Sequence, residues 1–143
     1  MKKKIRLGVN IDHIAFIKKS RDTLYPSLID SAQTAEEAGA DLITIHLRED
    51  RRHIQEQDVV DIRNHVKVLN LEMAHTREMI DIALKTKPNF CCIVPEKRNE
   101  VTTEGGLNLL NLDSNNLKEL KNTILRFNDC GIKTSLFTIN VRP

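Results

Sequence analysis

Short aliphatic runs alternate with longer amphipathic stretches along the whole chain. The runs span Ile5 to Ile11, Leu42 to Leu47, Leu69 to Met73, Phe90 to Val94 and Ile132 to Ile139, each short enough for a buried strand. The stretches between them carry helical spacing. Pro26 and Ser27 suit a first helical turn, Leu28, Ala32, Ala35 and Ala38 form an apolar stripe, and Gly39 stands where that helix ends. Val59, Ile62 and Val66 mark a second helix. Thr76 is an N-cap for a third that carries Met79, Ile80, Ala83 and Leu84, and Leu117, Leu120, Ile124 and Phe127 stripe a fourth that stops at Gly131. The expected order is β-α-β-α-β-α-β-α-β.

Strict alternation points to parallel strands joined by right-handed crossovers, with ligands bound beyond the carboxyl ends of the strands. Two architectures fit. A five-stranded doubly wound sheet is complete in about 143 residues, whereas the spacing from Ile5 to Lys133, about 32 residues per unit, puts a (β/α)8 barrel at roughly 256. Length favours the first and polar placement the second. Asn10 and Asp12 end the first run, Thr44, His46 and Arg48 the second, and Asn70 with Glu72 lies in the third. Within each set the spacing is two, so each faces one side of its strand, as around the mouth of a barrel.

Glu72 is the sharpest single feature. A carboxylate between Leu71 and Met73 in a buried strand loses hydration unless it is paired or exchanges protons, and burial raises its pKa towards the range of a general base. A structural ion pair with a neighbouring Lys or Arg is the competing reading. His46 alone reads as a packing residue; its company with Glu72, Asn10 and Asp12 makes it a candidate. After the second run come Arg48, Arg51, Arg52 and His53, whose guanidinium forks suit phosphate. At least one of these arginines is expected to be neutralised locally by Glu49 or Asp50. Arg21, in a polar loop after the first strand, reads as a surface cation or a phosphate ligand. Gly105 and Gly106 end a long loop after the fourth strand and could let backbone approach a ligand or hinge a lid.

Composition removes rivals. With 22 Lys+Arg against 20 Asp+Glu, a net charge of +2 and 3% aromatic residues, neither a bulk positive field nor a stacking platform for nucleic acid is present. The chain reads as one domain, residues 1–143, long enough to bury about two-thirds of its unfolded surface, with a core that must be aliphatic. No segment approaches membrane-spanning length. Neither GxGxxG after the first strand nor GxxxxGK[ST] occurs, which argues against dinucleotide and P-loop chemistry. Three cysteines without zinc spacing, two of them adjacent at Cys91 and Cys92, read as reduced thiols of an untargeted cytoplasmic protein.

Several ordered motifs together are specific. Gly-Val-Asn-Ile-Asp-His at 8 to 13, Ile-His-Leu-Arg-Glu-Asp-Arg-Arg-His-Ile at 45 to 54, Asn-Leu-Glu-Met-Ala at 70 to 74, Val-Pro-Glu-Lys-Arg at 94 to 98 and Thr-Thr-Glu-Gly-Gly-Leu at 102 to 107 resemble the pyridoxine 5'-phosphate synthase family. The resemblance runs from about Leu7 to Phe137 and implies a (β/α)8 TIM barrel of which about the first five βα units are present. It implies condensation of 1-deoxy-D-xylulose 5-phosphate with 3-amino-1-hydroxyacetone 1-phosphate, without metal or organic cofactor, in a homo-oligomer at full length. By the same resemblance Glu72 and His46 are proton acceptors and Asn10 binds the amino-ketone phosphate. Asp12, His13, Arg21, Arg48, His53 and Thr102 contact substrates.

The resemblance lapses over residues 138 to 143, and the chain stops about a hundred residues short of usual barrel length. A frameshifted or truncated gene product is expected, with a fragment of a longer chain as the alternative; either lacks three strands, a proton-donating His and the phosphate site of the last loops. The first strand then lacks its closing neighbour, and the fifth is an open edge reading Thr-Ser-Leu-Phe-Thr-Ile. Association or aggregation and little synthase activity are the expected consequences.

Overall fold

The computed structural model describes residues 5–96 and 105–139. In chain order the elements are β1 (Gly8–Asn10), α1 (Asp12–Ser20), α2 (Leu28–Glu37), β2 (Leu42–His46), α3 (Glu56–His65), β3 (Leu69–Met73), α4 (Arg77–Thr86), β4 (Phe90–Ile93), α5 (Ser114–Asp129) and β5 (Lys133–Leu136), with a 3-10 turn at Leu109–Asn111 before α5. All neighbouring strands are parallel, in the order β1-β2-β3-β4-β5.

That order decides between the two architectures. A doubly wound sheet reverses direction at a switch point, and here no reversal occurs among the described strands. Right-handed crossovers that always step the same way place every helix on one face, the winding of a barrel wall. On that face Ile43, Ile45, Leu69, Leu71, Met73 and Cys91 are fully buried in one cluster with Ala32 of α2, Val59 and Ile62 of α3, Met79 and Ala83 of α4 and Phe127 of α5. Each such aliphatic side chain contributes about 1.5–3 kcal/mol on burial. The other face carries Thr44, His46, Asn70, Glu72 and Cys92, and β3 shows the alternation directly, with Leu69, Leu71 and Met73 buried and Asn70 and Glu72 partly open.

The helix ends follow local chemistry. The Ser27 hydroxyl accepts from the Asp30 N–H at 3.2 Å and the Thr76 hydroxyl from the Met79 N–H at 3.4 Å, each relieving an orphan donor of a first turn. At the end of α5, Gly131 adopts φ 79°, a left-handed backbone that lets the Ile132 N–H return to the Phe127 carbonyl at 2.9 Å.

Three expectations change. The polar loop after the first strand is the helix α1. The Asn10 side chain accepts from the Asp12 N–H at 2.9 Å and Asp12 sits in the first turn, but Ala15 is the helix's one buried residue, too little apolar stripe to announce it. β1 is shorter than Ile5 to Ile11, because Ile5 and Leu7 are exposed. Gly106 serves the chain itself: Leu107 pairs with β5's continuation, donating to the Phe137 carbonyl at 2.7 Å, on the side where the Phe137 N–H reaches Ile93. A Cβ on Gly106 would overlap the backbone of Thr138 and Ile139, so the close approach is to backbone. The outer edges of β1 and β5 stay unpaired among the described residues.

Candidate active site

β1, β2 and β3 end at one rim, and their register sets the polar face side by side. Asn10 lies opposite Thr44, Thr44 opposite Asn70, His46 opposite Glu72, and Glu72 opposite Cys92. The Asn70 amide donates to the Thr44 hydroxyl at 3.2 Å. Asp12, the first residue of α1, turns back over this rim. Its carboxylate accepts from the His46 backbone N–H at 2.9 Å and from the Asn10 amide at 3.0 Å, tying the start of α1 to the end of β2.

Asp12, His46 and Glu72 each bring one ligand atom within 4.8 Å of the other two. Tetrahedral zinc with bonds of about 2.1 Å spaces its ligand atoms roughly 3.4 Å apart, so a cation there would have to draw the three inward. Glu72 has a raised pKa, first because burial penalises its charge and second because the Asp12 carboxylate repels it. The ion pair that could have explained a buried glutamate is absent: no cation pairs with Glu72 among the described residues. Burial also raises Asp12, against the pull of its hydrogen bonds. His46 is 7% exposed, and its pKa falls to about 4, by burial first and the nearby Arg48 charge second, so the imidazole is neutral at neutral pH.

The basic segment after β2 divides. Arg48 is 4% exposed, and its Nε lies 3.3 Å from Glu96 Oε1 and 3.5 Å from Asp50 Oδ1, while Nη2 is buried without a hydrogen-bond partner. Arg51 is a clamp. It donates to Glu56 at 2.7 Å, Glu78 at 2.6 Å and the Glu49 carbonyl at 2.8 Å, leaving little for phosphate. Arg52 pairs with Asp50 at 2.6 Å. Asp50 thus neutralises Arg52 and lies beside Arg48, as expected of a local partner, whereas Arg51 is held by Glu56 and by the sequence-distant Glu78.

The other candidates lie at varied distances from this cluster. His53 packs edge-on against Phe16 at 5.3 Å and burial lowers its pKa, while His13 follows Asp12 in the first turn of α1. Arg21 is exposed at the far end of α1, about 13 Å of helix from Asp12. Thr102 lies outside the described residues. Cys91 and Cys92 point to opposite faces, and burial pushes the Cys91 thiol up to about 12.

Sequence reasoning missed Glu96. Its side chain is 3% exposed, it accepts from the Glu49 N–H at 3.1 Å, and its Oε2 lies 4.0 Å from His46 Nε2. The available signal was positional, since Glu96 follows the end of β4 as Asp12 and Arg48 follow β1 and β2.

With this rim in place, comparison with known proteins is decisive. The family described as pyridoxal phosphate biosynthesis protein PdxJ matches residues 7–141. The chain belongs to this family. It is 52% identical over 136 residues to the pyridoxine 5'-phosphate synthase of Idiomarina loihiensis, covering 94% of this chain and 54% of that protein. It is 53% identical over 134 residues to that of Photobacterium profundum and 54% identical over 134 residues to that of Aliivibrio fischeri, each match covering 93% of this chain and 54% of the relative. The chain spans about half the length of these curated relatives. The family supports the barrel winding seen in the strand order, so the five parallel strands form an arc of a (β/α)8 wall. No helix among the described residues is long and apolar enough to cross a membrane.

Proposed function

We propose that this chain carries the proton-transferring part of a pyridoxine 5'-phosphate synthase. That activity condenses 1-deoxy-D-xylulose 5-phosphate with 3-amino-1-hydroxyacetone 1-phosphate to pyridoxine 5'-phosphate, phosphate and water in vitamin B6 biosynthesis. The observation that carries the proposal is the convergence of Asp12, His46 and Glu72 at the carboxyl ends of adjacent parallel strands, with no cation neutralising Glu72 among the described residues.

Imine formation, enolisation, phosphate loss and dehydration each move a proton. Glu72 is the stronger base of the pair, its pKa raised towards working pH by burial and by Asp12. His46 is a neutral acceptor at the adjoining position, and Asp12 fixes the strand end that carries it. The buried, unpartnered Nη2 of Arg48 is the group suited to grip a substrate anion, a role it fills better than the clamped Arg51. Asn10 is assigned the amino-ketone phosphate, and His13, Arg21, His53 and Thr102 the remaining substrate contacts. The proposed reaction uses neither metal nor organic cofactor.

Two further placements belong to this reading. The protein works in the reducing cytoplasm, consistent with its free thiols at Cys91, Cys92 and Cys130. It self-associates, because the outer edges of β1 and β5 are unpaired among the described residues and Leu7 and Phe137 beside them are exposed.

The test is titration of the chain with 1-deoxy-D-xylulose 5-phosphate, following the side-chain resonances of His46 and Glu72. Saturable shifts of both, lost in Arg48→Met, are expected. Ligand binding that leaves both resonances unmoved would reject the site in favour of a phosphate-binding module without catalysis.

A further inference from the structure

Glu96 lies at the end of β4, outside every role assigned above, and its surroundings are unusual. Its side chain is 97% buried, and Oε1 accepts from the Glu49 N–H at 3.1 Å, with Arg48 Nε at 3.3 Å in an ion pair that makes no hydrogen bond. Oε2 is buried with no hydrogen-bond partner, and so is Nε2 of His46, 4.0 Å away. Two buried polar atoms left unpaired each cost about 1–3 kcal/mol, and a movement of roughly 1 Å would satisfy both at once. Arg48 Nη2 is also unpartnered, but a carboxylate oxygen has two lone pairs and can accept from both.

Burial raises the Glu96 pKa, but the Arg48 guanidinium at 3.3 Å and the Glu49 N–H favour its ionised form; an ionised carboxylate only accepts, so the proton between these atoms sits on the imidazole. We infer that Glu96 is a positioning residue that holds His46 as the Nε2–H tautomer, leaving Nδ1 as the lone-pair nitrogen that receives the substrate's proton. This rests on the reading of His46 as a proton acceptor. It adds which nitrogen acts and which residue sets it, as a carboxylate hydrogen-bonded to one ring nitrogen fixes the tautomer of a working histidine. A purely structural Glu96, present only to neutralise Arg48 and cap the Glu49 N–H, would leave the His46 tautomer unchanged when its Oε2 is replaced by a donor.

The substitution Glu96→Gln separates the two. The Glu49 N–H requires an oxygen, so the glutamine oxygen takes that place and its NH2 group, a donor, replaces Oε2 facing His46. Nε2 must then accept, and the proton moves to Nδ1. Long-range imidazole nitrogen spectra of the 15N-histidine-labelled chain read the tautomer of each of its five histidines, with His46 assigned by its loss in His46→Gln. The expected result is Nε2–H in the wild type and Nδ1–H in Glu96→Gln, with Glu96→Asp restoring Nε2–H. A wild-type His46 that is Nδ1–H, or one whose tautomer is the same in a folded Glu96→Gln chain, overturns the inference. A wild-type His46 found as Nδ1–H overturns the inference whether or not the variant folds, and the tautomer change in a folded Glu96→Gln chain is the result that supports it. Because the readout needs no turnover, it stays distinct from the test of His46 itself, whose role fails if His46→Gln leaves substrate proton exchange intact.

Discussion

Replacing Glu72 by Gln should stabilise the folded chain while removing its proton chemistry. The Glu72 carboxylate is half-buried, has no cationic partner among the described residues and lies within 4.8 Å of the Asp12 carboxylate. Two like charges at that distance repel by roughly 1 kcal/mol with water-like screening and by about 3.5 kcal/mol at an effective dielectric of 20. Glu72 is open enough to solvent to favour the lower figure, so a gain of about 1 kcal/mol is expected at pH 8. Glutamine keeps the shape, so no cavity term opposes the gain. The pH dependence follows from the direction of the shift. The folded-state pKa of Glu72 is raised above the ordinary 4.5, so the folded chain holds this proton more tightly than the unfolded one. The carboxylate therefore destabilises the fold fully above its folded pKa, and the penalty fades as pH falls towards 4.5. Urea unfolding followed by far-ultraviolet circular dichroism at pH 8 and at pH 4.5 measures both values. The variant should be more stable at pH 8 and nearly equal to wild type at pH 4.5. A destabilised Glu72→Gln at pH 8, or a gain that does not change with pH, would refute the electrostatic account of this site.

Other substitutions probe the groups around it. Arg48→Met leaves Glu96 buried and uncompensated and should cost about 3–5 kcal/mol in urea unfolding, most of it recovered when Glu96→Leu is added. Arg51→Ala breaks contacts to two largely exposed carboxylates, so its cost should be about 1 kcal/mol and shrink at high salt, with ligand affinity less affected than by loss of Arg48. With iodoacetamide at pH 8, mass spectrometry should show Cys130 alkylated first and Cys91 only after denaturant is added, since Cys130 is exposed and Cys91 is buried with its thiol pKa near 12.

Much of this was legible in the sequence because it rests on short-range rules. Thr76 capped the expected helix, Leu69 to Met73 matched β3 residue for residue, and the two-residue spacing of Thr44 with His46 and of Asn70 with Glu72 placed all four on the polar face. What was illegible depended on groups distant in the chain. α1 is anchored by Ala15 and by the link from Asp12 to β2, 34 residues on, and neither produces a helical stripe. Arg51 looked like a phosphate ligand until Glu78, 27 residues later, was seen to hold it. Glu96 was one charge in a polar loop, and only the β4 register brings it to Arg48 and His46. The strand order, which separates a barrel wall from a doubly wound sheet, is a long-range property that alternation alone does not contain.

The central claim is that Glu72 abstracts a carbon-bound proton from a phosphorylated ketone bound at this rim. Solvent deuterium wash-in measures that step alone: the chain is incubated with 1-deoxy-D-xylulose 5-phosphate in D2O, and loss of the proton next to the ketone is followed by proton nuclear magnetic resonance. The account predicts exchange well above the buffer rate, reduced about 10²–10⁴-fold in Glu72→Gln. Exchange that continues undiminished in that variant, or a wild-type chain that binds the ketone and exchanges no faster than buffer, would contradict it.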